Sequence, residues 1–509
     1  DDGLTYTIEI QSGVHFADDP AFADGIGREV TIHDFVYSMQ RHFDPDVRAQ
    51  GAWLLADRIV GLDEWGANGA DYSQPIKGLR VIDDYTLEIR LTAPYPQLAY
   101  TLATGFSALV PREAVEFYGR EFSIKPVGSG PFQLTSFNSA LATFERNPKF
   151  DRGALDLVAE GYDPALHADY DLDPLDGQTY PFVDGLEIHF IDETAARWSS
   201  FISGEVHNVI VPNEQIDRVL SSKRPIELNE DMAERYHTHS GLEAGFVYIG
   251  FNMDDERFGH HPEPDQDRAN RALRCAMRDA ADWQARNETF YFGLGQVFPG
   301  VILPTVPEYD PKLPRRSVEP DLEAANRALD AFGWRDQLPT FTYGMPASVR
   351  DRQIFEQLRA QLQTIGFETA QIQQNSFATF GDLYRSIQNR DVDLFFLSWT
   401  LDYPDAQNTL QLFYGPNQTP GSNNFNYVNP EFDALYEQTL TLQPGEERTA
   451  LYRQMNAIVI DDCVVIAGMS RTRVHLWDKQ VRMMPDREIL GGFFMRFVDL
   501  ADDPVMLGD

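Results

Sequence analysis

The clearest hydrophobic pattern in the chain is a nearly unbroken apolar run over residues 392–399. A continuous run, in place of an alternation of apolar and polar residues, predicts a strand that is buried on both faces of a sheet. The run stops at Thr400, and Asp402 follows just before a proline-containing turn. A carboxylate at this place either caps the next helix or anchors a ligand at the mouth of the sheet, where ligands collect in open α/β folds.

The other periodic segments alternate between the two types of secondary structure. Strands and hairpins are predicted where apolar residues alternate, at 4–16, 78–94, 183–191, 246–251, 367–372 and 393–399. Helices are predicted where they recur at helical spacing, at 31–42, 194–203, 268–283, 324–332, 354–365 and 377–387. The last two strands and the helix between them form a βαβ-like unit, which favours the α/β class. Thr31 is the predicted N-cap of the first helix, with Asp34 three positions later as in a capping box.

Length and composition restrict the class of protein. The 509 residues are enough for two or three domains, and 43% hydrophobic residues are typical of a globular chain. The 42 basic and 79 acidic residues leave a formal charge of −37, which argues against nucleic acid as a partner because a phosphate backbone requires a basic surface. No apolar run reaches the 18 residues of a membrane span.

Three further features bear on chemistry. The segment Gly128-Ser129-Gly130 predicts a tight turn with positive φ, but it is not a phosphate-binding loop because no Gly-Lys-Ser/Thr follows. The acidic segment 151–181 lacks the glycine and glutamate of an EF-hand loop, so an acidic surface loop is favoured, with a calcium site left open. The settings of Cys275 and Cys463 favour two buried thiols, with a disulfide as the alternative.

Several of these segments together resemble the family 5 extracellular solute-binding proteins, the receptors of oligopeptide, dipeptide and nickel ABC importers. The matches are Trp399, Asp402 and Tyr403, the helix start at 429–435, and the segment 127–132, and they follow the family's order. The resemblance implies an α/β, two-lobed periplasmic-binding-protein fold (type II, cluster C-like) with an extra subdomain in the first lobe. The implied domains are 1–126 as the extra subdomain, 127–251 as lobe I, 252–480 as lobe II and 481–509 as the return to lobe I. It also implies that the N-terminal segment of lobe I is missing from this chain, which would then be processed or truncated.

The family's function supplies the functional prediction. The resemblance implies a substrate-binding protein that captures extended oligopeptides in the cleft between its lobes and delivers them to an ABC permease in the membrane. It implies a monomer that is periplasmic, or extracellular and lipid-anchored, with no catalytic activity, no cofactor and no bound metal. Two alternatives remain: the same fold with a non-peptide solute such as a nickel chelate, haem or oligosaccharide, and a metal-dependent hydrolase. The hydrolase is disfavoured because neither a His-Glu-x-x-His nor a Gly-x-Ser-x-Gly motif occurs.

The predicted site follows from the same resemblance. Asp402 matches the aspartate that holds the α-ammonium group of bound peptides in the family. Trp399, Tyr403 and Phe425 are expected to form apolar walls, with plain core as the alternative for Trp399, and Arg385 is the candidate for the peptide carboxylate. The full set of predicted ligand-binding residues is Gly128, Ser129, Gly130, Arg385, Trp399, Thr400, Leu401, Asp402, Tyr403 and Phe425.

Overall fold

The computed structural model describes residues 3–47, 49, 51–167, 170–483 and 493–501. The chain divides into two compact units, and each takes more than one segment of the chain. The first unit comprises Asp1–Pro212, Leu228–His239 and His475–Asp509, and the second comprises Asn213–Glu227 and Ser240–Val474.

The helices of the described residues are α1 (Ile32–Phe43), α2 (Leu62–Ala67), α3 (Leu98–Leu102), α4 (Arg112–Tyr118), α5 (Pro164–His167), α6 (Thr194–Ile202), α7 (Ile216–Val219), α8 (Glu230–Arg235), α9 (Pro264–Ala280), α10 (Trp283–Phe290), α11 (Leu322–Ala331), α12 (Val349–Gln363), α13 (Phe380–Gln388), α14 (Gln407–Leu410), α15 (Pro430–Thr439) and α16 (Glu446–Asp462). The strands are β1 (Thr5–Glu9), β2 (Leu79–Asp83), β3 (Thr86–Arg90), β4 (Phe132–Phe137), β5 (Leu141–Arg146), β6 (Gly185–His189), β7 (Asn208–Ile210), β8 (Leu220–Lys223), β9 (Ile226–Leu228), β10 (Tyr236–Leu242), β11 (Gly245–Phe251), β12 (Gln296–Val297), β13 (Phe341–Pro346), β14 (Ile372–Phe377), β15 (Leu394–Thr400), β16 (Val465–Ser470), β17 (Thr472–Asp478), β18 (Val481–Arg482) and β19 (Asp499–Leu500).

The first unit begins with a three-stranded sheet in the order β1-β3-β2. Helix α1 packs its apolar face, which includes Phe35 and Met39, into the same core as Leu87 and Ile89 of β3. The predicted capping box is confirmed, because the backbone N–H of Thr31 donates to Asp34 Oδ2 at 2.9 Å. A second sheet, in the order β4-β5-β6, follows in the same unit.

The acidic segment 151–181 differs from the predicted surface loop, because it builds a small apolar cluster of its own. Leucines at 155, 157, 172 and 175 are buried there together with Phe497 from the C-terminal segment. Arg496 also donates to Glu160 at 2.7 Å, and this ion pair links the C-terminal segment to the 151–181 segment. The acidic residues of this segment that the structure describes stay on the outside, whereas the widely spaced leucines, which carry no clear period, form the interior.

The second unit is organised on a six-stranded sheet in the order β12-β16-β11-β15-β13-β14. Strand β15 lies in the interior of this sheet, antiparallel to β11 and parallel to β13. Leu394 and Phe395 are fully buried, while Ser398 and Thr400 are exposed. The predicted burial on both faces therefore holds for the first half of the strand, and its carboxyl end opens to solvent.

The unit boundaries lie earlier in the chain than residues 251 and 480. Strand β11 pairs along its whole length with β15, so it belongs to the sheet of the second unit and not to the first unit. The second unit is also discontinuous, because it takes residues 213–227.

The two cysteines form a disulfide, and the prediction of two buried thiols is wrong. Cys275 on α9 is joined to Cys463, which directly follows α16, over a sequence separation of 188 residues. The sequence could not show this because the two positions meet only through tertiary packing.

Candidate functional site

The candidate site lies at one edge of the six-stranded sheet in the second unit. Strands β13, β14 and β15 run parallel, so their carboxyl ends, at Pro346, Phe377 and Thr400, lie at the same edge. Side chains that follow parallel strands collect at such an edge, which is where ligands bind in open α/β sheets. Beyond Thr400 the chain stays tied to the sheet, since the N–H of Leu401 donates to the carbonyl of Ala244 at 2.7 Å.

Asp402 is a half-buried carboxylate with one side-chain partner. Its Oδ2 accepts a hydrogen bond from Nδ2 of the fully buried Asn408 at 3.0 Å. No lysine, arginine or histidine forms an ion pair with Asp402 among the residues that the structure describes. Burial raises the pKa of this carboxyl above its ordinary value, and the Asn408 hydrogen bond only partly offsets the rise. The arrangement leaves a carboxylate that a ligand cation would stabilise.

The helix-cap interpretation of Asp402 is wrong. The following helix, α14, has Ala406 at its N-cap with no side-chain capping bond. The carboxylate that holds this turn is Asp405, whose Oδ1 accepts from the N–H of Gln407 at 2.9 Å. Asp402 therefore does not cap the backbone of α14, and its contact with that helix is the hydrogen bond from the side chain of Asn408.

Asn408 connects the two landmark residues of the segment. Its Oδ1 accepts from Nε1 of Trp399 at 2.9 Å and from the backbone N–H of Asp402 at 3.2 Å, while its amide group donates to the Asp402 carboxylate. Both polar atoms of its side chain thus serve to orient Trp399 and Asp402. Asn408 was not among the predicted site residues. It is buried, follows Asp402 by six residues, and holds the Asp402 carboxylate. Trp399 is half-buried, so part of its ring stays accessible at this edge.

Two of the predicted apolar walls are core residues. Tyr403 is 3% exposed, and its hydroxyl donates to Gln407 Oε1 at 2.5 Å. Phe425 has no exposed surface and stacks on Phe413 with ring centroids 4.9 Å apart. Leu401 is 2% exposed. Leu401, Tyr403 and Phe425 thus offer almost no surface to a ligand in this structure, and their contacts fasten the loop to the core.

The structure brings a different aromatic pair to the same edge. Phe380 and Tyr384 lie one turn apart on α13, which follows β14, and their rings stack with centroids 5.8 Å apart. Phe380 is 68% exposed, a large apolar surface for a residue so close to the end of a strand. Only its position at the helix start, directly after Thr379, could have indicated an exposed ring.

Arg385 lies on the same helix with its side chain 71% exposed, and it pairs with Asp382 at 2.5 Å. A ligand carboxylate at this arginine would compete with that ion pair.

Residues Gly128, Ser129 and Gly130 belong to the first unit, where the carbonyl of Gly130 accepts from Asn147 Nδ2 at 2.8 Å. Neither glycine has a positive φ, so the expected turn with positive φ is not formed; the chain bends at 129–131 and enters β4 at Phe132.

Comparison of the sequence with known protein families gives one match over most of the chain. The sequence model for "Bacterial extracellular solute-binding proteins, family 5 Middle" matches residues 1–421. The chain belongs to this family. As a family 5 protein it is 23% identical over 472 residues to heme-binding protein A of Haemophilus influenzae, a match that covers 90% of this chain and 75% of the relative. It is 21% identical over 471 residues to the dipeptide-binding protein of Escherichia coli, covering 91% and 77%.

Solved structures show the fold of this family 5 chain. The periplasmic binding protein DppA from Helicobacter pylori, in complex with the peptide STSA, superposes with a TM-score of 0.71 at 19% identity and covers 98% of this chain and 87% of that one. The murein tripeptide-binding protein MppA of Escherichia coli gives 0.72 at 17%, covering 99% and 88%. The fold is therefore the two-lobed α/β type II fold of periplasmic binding proteins. No helix among the described residues is long and apolar enough to cross a membrane.

The side chains at this site of the family 5 chain are a carboxylate and several aromatic rings. Across the residues that the structure describes, no group of three or more His, Cys, Asp or Glu side chains is placed to hold a metal ion. Within the described part of the chain, this edge offers the Asp402 carboxylate without a cationic partner, the half-buried indole of Trp399, and the stacked rings of Phe380 and Tyr384, of which Phe380 is exposed. This set suits a ligand that carries a positive group beside an apolar one.

Proposed function

We propose that this chain is the substrate-binding protein of an ABC importer and that it captures peptides by their α-ammonium group. The observation that carries the proposal is Asp402, a half-buried carboxylate that accepts a hydrogen bond from the neutral amide of Asn408 and has no cationic partner among the described residues. A buried charge without a partner is costly, and an arriving ammonium group removes that cost.

The negative net charge of the chain supports a cationic group on the ligand. With a formal charge of −37, the chain as a whole attracts cations and repels anions over distances of about a Debye length. The half-buried position of Asp402 strengthens this attraction locally because screening by water is weaker there. Asn408 fixes the carboxylate in one orientation before the ligand arrives, which reduces the entropy lost on binding.

The same proposal assigns protein contacts to the other groups of the peptide. A hydrophobic side chain next to the ammonium group would pack on Trp399 or on the stacked pair Phe380 and Tyr384. The terminal carboxylate would be held by Arg385 in exchange for Asp382. The protein would act without catalysis and as a monomer that docks on the membrane permease.

Localisation outside the cytoplasm is part of the proposal. Members of this family are periplasmic or extracellular binding proteins, and relatives such as the Escherichia coli protein are named for the peptides they bind. The disulfide between Cys275 and Cys463 supports an oxidising compartment, because glutathione and thioredoxin keep most cytosolic thiols reduced.

Haem is the second candidate ligand, since one relative is named heme-binding protein A and matches over 90% of this chain. The Asp402 site disfavours haem, because haem propionates are anions and would meet an unpaired carboxylate. Titration with hemin, followed by its visible absorption, tests this candidate directly.

The proposed function is tested by identifying what the protein binds. Native mass spectrometry of the purified protein should release peptides with free N-termini. Calorimetry with one such peptide and its N-acetylated form should then show tight binding only for the free form. Equal affinity for both forms, or the absence of any peptide ligand, would overturn the proposal.

A further inference from the structure

Three charged side chains are buried together beneath the Asp402 segment. Asp405 and Arg448 have side chains that are each 2% exposed and pair at 2.9 Å. Glu308, 8% exposed at its side chain, lies 3.4 Å from the same Nη2 nitrogen of Arg448. Two carboxylates thus share a single guanidinium nitrogen in the interior of the second unit.

This cluster is poorly satisfied. Among the described residues, Arg448 Nε, Arg448 Nη1 and Glu308 Oε2 have no hydrogen-bond partner. Burial and the nearby Asp405 raise the pKa of Glu308. Buried charges with incomplete hydrogen bonding are often no more stabilising than apolar residues of the same volume. Stability alone therefore does not account for a cluster of this kind. Its contacts with neighbouring groups indicate a further role.

The contacts lead to the ligand anchor in two steps. Asp405 uses Oδ2 for Arg448 and Oδ1 for the backbone N–H of Gln407, at 2.9 Å. Gln407 is the first residue of α14, and Asn408, which holds Asp402, is the second. The side chain of Gln407 is itself fastened between the hydroxyls of Tyr403 and Tyr436. Arg448, from α16, is thereby connected to the residue that orients the Asp402 carboxylate.

We infer that Asp405 and Arg448 are positioning residues for ligand binding: their buried ion pair fixes the first turn of α14 so that Asn408 holds Asp402 in its binding orientation. The inference rests on the proposed function for the identity of the ligand group, but the positioning itself exists in the ligand-free protein. Neither residue touches the ligand.

The test uses Asp405→Asn. This substitution keeps an acceptor for the N–H of Gln407, removes the ionic link to Arg448, and leaves one carboxylate and one guanidinium in the cluster, so the protein should fold. A peptide with a free N-terminus should bind about tenfold more weakly, which corresponds to about 1.4 kcal/mol. In an Asp402→Asn background the same change should cost almost nothing, since the group being positioned is gone.

A second readout needs no ligand. The Asn408 hydrogen bond lowers the pKa of Asp402, so loosening Asn408 should raise that pKa further, as measured by NMR titration of the carboxyl carbon in the apo protein. Removal of the negative charge of Asp405 by itself would act in the opposite direction, because a like charge raises a carboxyl pKa. The sign of the shift therefore separates positioning from simple electrostatics.

Asp255→Asn is the matched control, because Arg257 also lies between two carboxylates there, Asp255 at 2.6 Å and Asp393 at 2.8 Å. That cluster lies at the opposite end of β15, so its loss should leave peptide affinity and the Asp402 pKa unchanged. An equal affinity loss in the control, a fully additive loss in the double variant, or a lowered or unchanged Asp402 pKa in Asp405→Asn would overturn the inference. If Asp402→Asn itself binds peptide normally while the pKa of Asp402 rises in Asp405→Asn, the proposed function fails and the positioning stands.

Discussion

The replacement Asp402→Asn tests the ligand anchor most directly. Asparagine keeps the shape of the side chain and one acceptor for Asn408, which donates at 3.0 Å, and removes only the charge. An ammonium group about 3 Å from the carboxylate would gain about 5 kcal/mol at an effective dielectric constant near 20. Truncation of one partner of such a pair costs about 2–5 kcal/mol.

The expected loss is therefore at least about thirtyfold in peptide affinity, at roughly 1.4 kcal/mol per decade. N-terminal acetylation of the peptide should cost the wild-type protein a similar amount, because it removes the other charge of the same pair. In Asp402→Asn the acetylated and free peptides should bind almost equally. This non-additivity identifies a contact, since two independent sites would add.

The assay is isothermal titration calorimetry of both proteins with both peptides, in buffer of fixed ionic strength. Circular dichroism and thermal unfolding of the variant provide the control for folding. Full additivity of the substitution and the acetylation would refute the argument, as would unchanged affinity in Asp402→Asn. Either result would mean that the carboxylate faces solvent ions and not the ligand.

Four further outcomes follow from the structure. Because the folded-state pKa of Asp402 is raised, the charged form is disfavoured in the fold; the Asp402→Asn apo protein should be more stable than wild type at pH 7 and equal to it below the ordinary carboxyl pKa, by denaturant unfolding. For the same reason peptide affinity should fall as the pH drops through that raised pKa, measured by calorimetry. The double variant Cys275→Ala/Cys463→Ala opens a 188-residue loop and should lose about 2–5 kcal/mol of unfolding free energy, an effect that reductant should reproduce in wild type only. Gly250→Ala should cost about 1–3 kcal/mol, because its Cβ would overlap the ring of Phe395 and lie 2.7 Å from that of Phe425; an unchanged melting temperature would contradict this packing.

The parts of the fold that were predictable are those set by local patterns. The capping box at Thr31 and the apolar strand before Thr400 depend on residues a few positions apart, and both appear in the structure. The family resemblance supplied the two-lobed class, because its landmarks follow in order over nearly the whole chain. The disulfide and the burial of Phe425 were beyond reach, since each depends on segments that meet only after folding.

The site illustrates the same limit. The position of Asp402 after a buried strand was visible in the sequence, but which of its neighbours face solvent was not. Tyr403 and Phe425 are aromatic residues of the kind that line binding sites, yet they lie in the core. Phe380 is a residue type that is usually buried, yet it is exposed. The difference lies in the direction of each side chain relative to the sheet edge, which a strand followed by an irregular loop does not determine from sequence.

The apolar cluster of the 151–181 segment has a consequence for synthesis on the ribosome. Its leucines are translated early, but their partner Phe497 is translated more than 300 residues later. The last strand of the six-stranded sheet, β16, also precedes Phe497 in the chain, so all strands of that sheet are synthesised before the cluster receives its last partner. The nascent cluster must keep exposed apolar surface while those intervening residues are made, a period in which chaperone binding protects such a chain from aggregation.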